Sequence, residues 1–96
     1  MMLSADERVQ HRRGVQSRPL SPGALLVDMD TGRCFELNRV GAEVWGILET
    51  PTPCGEVYAQ IADRYRIGMI QAADEVGKLL DQLLDERLIE RGSNPR

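Results

Sequence analysis

Residues 33–48, RCFELNRVGAEVWGIL, change period half-way. Up to Leu37 the side chains alternate, with Arg33, Phe35 and Leu37 on one side and Cys34 and Glu36 on the other, the signature of a strand. Phe35 and Leu37 are expected to face a core. From Val40 onward the apolar residues Val40, Val44, Trp45, Ile47 and Leu48 recur at helical spacing, and Asn38 stands where an N-cap belongs. A strand therefore runs straight into a helix. What lies on either side decides how that junction is used.

Upstream, residues 24–29 (ALLVDM) form a short apolar run, and Asp30-Thr31-Gly32 reads as a hairpin turn into the 33–37 strand. Ser21-Pro22-Gly23 is a second turn by composition. Residues 9–19, VQHRRGVQSRP, read as one loose edge strand, weakened by Gly14 and ended by Pro19. Downstream, Thr50-Pro51-Thr52-Pro53 stops the first helix, since neither proline tolerates a helix interior. Residues 54–66 form a second helix with Val57, Tyr58, Ile61, Ala62 and Tyr65 on its apolar face, and 67–69 connect it to a third.

The third helix, about residues 71–87, carries a broad stripe of Ala72, Val76, Leu79, Leu80, Leu83 and Leu84 when each residue advances 100°. Asp74, Lys78, Asp81 and Asp85 fall opposite, and Leu88-Ile89 anchors the tail. The expected order is three strands, then three helices: an α+β architecture with helices stacked on one side of a small antiparallel sheet. It is expected to be one domain over residues 9–91, with flexible ends at 1–8 and 92–96.

Composition narrows the function. The chain has 96 residues, 42% of them hydrophobic, and 15 acids against 12 bases give a net charge of −3, which disfavours holding nucleic acid by bulk charge. Aromatic residues make up 4%, too few for base-stacking platforms. No apolar run approaches the roughly 20 residues needed to span a bilayer, and the start MMLSADERVQHRR lacks a secretion signal, so a cytoplasmic, membrane-free protein is expected.

Chemistry is scarce. Cys34 and Cys54 lack the spacing of a disulfide scaffold or a zinc site, and His11 is the only histidine. Cys34 is expected to be a buried structural cysteine and His11 a surface residue. Dinucleotide, Walker and HExxH motifs are absent. A non-enzymatic binding protein without cofactor or metal is the expectation.

A small sheet leaves an edge on which another peptide can complete the unpaired N–H and C=O groups. The 33–37 strand is such an edge, and the third helix, through Leu79 and Leu83, is the natural wall beside it. Residues 24–90 further resemble the PqqD-like family, the RiPP recognition elements. The resemblance is carried by CFELN (34–38), VGAEVWGIL (40–48), VYAQIADRY (57–65) and EVGKLLDQLLDERLI (75–89). It implies a winged-helix-like fold that binds the leader of a ribosomally made precursor peptide as an added strand.

Carried onto this chain, the resemblance implies a peptide site of Arg33, Cys34, Phe35, Glu36 and Leu37 on the strand. Val76, Leu79, Leu80 and Leu83 lie on the helix, with Glu75 and Lys78 at the rim. Trp45 and the short stand-alone chain are similar to the leader-binding subunit of lasso peptide biosynthesis. That context implies a leader-cleaving cysteine protease as partner, with a macrocyclase acting afterwards. The alternatives are a chaperone for the pyrroloquinoline quinone precursor and a DNA-binding winged helix. The acids Asp74, Glu75, Asp81, Asp85 and Glu86 make the third helix a poor surface for phosphate.

Overall fold

The computed structural model describes residues 3–92 and turns on the junction at Asn38. The Asn38 side chain accepts the Gly41 N–H at 2.8 Å and caps the first helix, α1 (Arg39–Ile47). Four strands precede it: β1 (Arg8–His11), β2 (Val15–Pro19), β3 (Ala24–Asp28) and β4 (Cys34–Leu37). After it come β5 (Thr52–Pro53), α2 (Cys54–Tyr65), α3 (Met69–Asp85) and β6 (Ile89–Arg91). The α+β class holds.

The simple order of strands and then helices does not. The described residues form two antiparallel sheets of three strands, β2-β3-β4 and β5-β1-β6, so winged-helix-like is only a loose description. The expected 9–19 strand is two strands in different sheets. Gly14, at φ +95°, takes a conformation that most residues resist, and the chain turns there from β1 into β2. Arg12 holds the corner. Its backbone N–H donates to the Leu88 carbonyl at 3.1 Å, and its guanidinium meets Asp28 at 2.8 Å and Asp30 at 2.9 Å. Burial alone would raise the Asp28 pKa, but the Asp30 N–H and the Arg12 guanidinium hold it below its ordinary value.

The second sheet is built from the chain's far ends. Val9 pairs with Thr52 on one side and Arg91 on the other. β6 exists because α3 ends in a left-handed turn at Arg87 (φ +60°). The Leu88 N–H reaches the Leu83 carbonyl at 2.9 Å and the Arg87 N–H reaches Leu84 at 3.0 Å, the paired bonds of a Schellman motif. Leu88 and Ile89 then sink into the core. Of the expected flexible ends, the described part of the first is seated: Leu3 is buried, and Ala5 accepts the Gly55 N–H at 2.9 Å. Residues 1–2 and 93–96 lie outside the described residues.

The core collects Leu26 from β3, Val44 and Leu48 from the first helix and its end, Val57 from α2, and Val76 and Leu80 from α3. Two expectations are exchanged. Cys34 is exposed and Cys54 buried, because Cys34 takes the outward side of its strand. His11 is half-buried, stacked on Trp45 with ring centroids 3.7 Å apart and 12° between the planes. Its Nε2–H donates to the Trp45 carbonyl.

Candidate functional site

β4 is an edge. Among the described residues it pairs only with β3, in the register Leu26↔Phe35 and Ala24↔Leu37. The phase of the ladder follows from its ends. The Asp28 N–H donates to the Arg33 carbonyl at 2.9 Å, and on the other side of β3 the Met29 N–H donates to Gly14 at 2.9 Å. Antiparallel pairs alternate, so Phe35 and Leu37 spend their backbone groups on β3. The N–H and C=O of Cys34 and Glu36 point out of the sheet, to the open side.

Gly23 keeps this edge where it is. Its φ is +100°, and a Cβ there would stand 2.1 Å from the Leu37 carbonyl oxygen. Only glycine lets β3 start so close to the end of β4.

A groove runs between this edge and α3. Its first recess, about 260 Å³, has Phe35 and Leu37 on one wall, Leu79, Gln82 and Leu83 on the other, and Glu86 and Leu88 at one end. A second recess of about 320 Å³ continues from the shared residues Asn38, Gly41 and Leu79. There the lining is Val40, Ile61, Tyr65, Ile67 and Val76, with Glu75 at the rim. Gly41 matters at the waist, where a side chain would press on Leu37. A larger recess between α1 and α2, lined by Glu43, Gln60, Asp63 and Arg64, has no free strand beside it.

Most of the expected site residues come together here. Phe35 and Leu37 form the strand wall, and Leu79 and Leu83 the helix wall, with Val76 deeper. Cys34 and Glu36 are exposed on the sheet's other face, offering backbone to the edge. Arg33 sits one residue before β4, its guanidinium 2.8 Å from Glu86 and 4.8 Å from the centre of the Phe35 ring. Two residues lie elsewhere. Leu80 is fully buried in the core on another face of α3, and Lys78 is turned to solvent, 3.2 Å from Asp74. Gln82 and Glu86 were missed because they are polar, though they follow Leu79 at i+3 and i+7 on the same helix face.

Burial pushes the Cys54 thiol up to about 11, so it stays protonated near neutral pH. Among the described residues no group of three or more His, Cys, Asp or Glu side chains is arranged to hold a metal ion. No helix among them is long and apolar enough to cross a membrane.

A family model described as coenzyme PQQ synthesis protein D (PqqD) matches residues 23–89, well over half of the chain. The chain belongs to the PqqD family. The match begins at Gly23 and ends at Ile89, so it takes in β3, β4 and all three helices, the elements that build the groove. Among solved structures, this PqqD-family chain is similar in fold to one described as TbiB1 in complex with the TbiA(beta) leader peptide. The TM-score is 0.78 at 22% identity, over 88% of this chain and 99% of that one. No curated protein matches by sequence.

Proposed function

We propose that this protein binds the leader segment of a ribosomally synthesised precursor peptide in the cytoplasm. It delivers the precursor to a leader-cleaving cysteine protease in lasso peptide biosynthesis, with a macrocyclase acting afterwards. The leader adds as a strand to β4, and its apolar side chains enter the groove against α3. The observation that carries this reading is the open edge of β4 beside an apolar groove, in a family fold similar to one solved with a leader peptide bound.

The role needs no chemistry from this chain. A disordered leader spends about 2–5 kcal/mol on ordering, which main-chain bonds to Cys34 and Glu36 and two or three buried side chains can exceed. Micromolar to nanomolar affinity is the expected result. Holding the precursor beside a protease raises its effective concentration and speeds cleavage without tighter protease contacts.

Glu36→Pro tests the mode. Its N–H faces the open edge and serves no bond to β3, so a proline there leaves the sheet intact and removes one donor from the incoming strand. By fluorescence anisotropy with the labelled leader encoded nearest this gene, Glu36→Pro is expected to weaken binding at least tenfold with an unchanged circular dichroism spectrum. Equal binding rules out strand addition at this edge. The family model's description favours a second reading, the pyrroloquinoline quinone precursor as ligand of the same groove. That peptide, titrated in competition, separates the two.

A further inference from the structure

The charges that line the groove are one-sided. Every charged residue lining its two recesses is an acid: Glu36, Glu75 and Glu86. Of the bases near it, Arg33 is engaged with Glu86 at 2.8 Å and Lys78 with Asp74 at 3.2 Å, while Arg39, Arg66 and Arg87 are chain neighbours of lining residues and line neither recess themselves. Among the described residues Glu36 and Glu75 have no basic partner. α3 adds to the imbalance, with Asp74, Glu75, Asp81 and Asp85 against Lys78 alone. An occupant lying along the β4 edge that brings a positive charge beside Glu36 gains a partner for a carboxylate with none of its own.

The pleat says where that charge belongs. On an added antiparallel strand, the residue opposite Glu36 shares its outer face, about 5 Å away between Cβ atoms. Its two neighbours point the other way, beside Phe35 and Leu37 and towards Leu79 and Leu83. Resting on the strand-addition reading, we infer that the segment bound is a cationic peptide with the local pattern apolar–basic–apolar, its Lys or Arg paired with Glu36. The acids alone would make no site. The open edge and the groove make it, and the acids select what enters.

A library of random short peptides, selected on the full chain, tests this without knowledge of the precursor. Enriched sequences are expected to carry Lys or Arg between two apolar residues and to lose binding to Leu79→Asp. In an enriched peptide, Lys→Gln is expected to weaken binding about two- to fivefold at low salt, with the difference closing at high salt. Glu36→Lys, on an exposed strand position, is expected to shift the selection towards acidic residues. Peptides that need Leu79 but show no basic preference, or a preference that Glu36→Lys leaves unchanged, overturn this inference and leave the groove reading standing. Peptides indifferent to Leu79→Asp, or no enrichment on a folded protein, overturn both.

Discussion

His11 lies flat against Trp45, 3.7 Å between ring centres, and its imidazole is held by the Trp45 carbonyl. Burial lowers the pKa of His11 from its ordinary 6.5, against the opposing pull of that carbonyl and of Glu49. The fold therefore prefers the neutral ring, and the unfolded chain takes up a proton more readily below that value. Stability from this source is complete above pH 6.5 and falls as the solution is acidified. Urea unfolding at about pH 7.5 and about pH 5 is expected to show a lower midpoint in acid. His11→Phe keeps an aromatic face on Trp45 and cannot titrate, so its midpoint is expected to change less. Asp28 and Glu7, whose pKa values are lowered, act below the ordinary carboxylate range and leave this window to His11.

Neighbouring leucines on α3 have opposite duties. Leu79 lines both recesses while Leu80 is wholly inside. Leu80→Ala is expected to cost about 2–5 kcal/mol of folding stability, because it opens a cavity in the core. Leu79→Asp, at a position only partly buried, is expected to cost less stability than Leu80→Ala, to leave the protein folded, and to raise the Kd for a leader peptide at least about tenfold. Chemical denaturation and anisotropy on the same two variants check both halves.

Two helix ends use arginine where glycine fits better. Arg66 closes α2 at φ +54° and Arg87 closes α3 at φ +60°. Side chains resist this conformation, so Arg66→Gly is expected to stabilise the fold by about 0.5–1 kcal/mol. Arg87→Gly is expected to do the same, since the Arg12 guanidinium bonds to the Arg87 backbone carbonyl, which glycine retains. Thermal melts of the two variants measure it.

Gly23→Ala is expected to do the reverse. With φ at +100° and the Leu37 carbonyl 2.1 Å from the new methyl group, β3 and β4 must move apart. A loss of more than about 1 kcal/mol is expected, together with weaker peptide binding, because the displaced strand is the edge itself. Full binding by a folded Gly23→Ala protein would show that the edge tolerates the shift.

The strand-to-helix junction was legible because it is local. Asn38, the alternation before it and the helical spacing after it all lie within sixteen residues, and the structure keeps each of them. The β5-β1-β6 sheet was not legible. Its strands are four, two and three residues long and come from both ends and the middle of the chain. Thr52–Pro53 sits in a run that reads as a helix stop, and Ile89–Arg91 is too short for alternation to show. The groove was half legible for a related reason. A stripe of apolar residues marks one side of α3, but at 100° per residue Leu79 and Leu80 both fall within it. Only the packing of β4 and the core decides which of them meets solvent.

The pairing of Val9 with Arg91, with the Gly92 N–H on the Arg8 carbonyl at 2.7 Å, fastens β6 to β1, while residues 3–7 go on to pack against the start of α2. β6 is thus a clasp: it ties the chain leaving α3 to β1, so the helix wall of the groove is anchored at its end by a sheet that the β4 edge takes no part in.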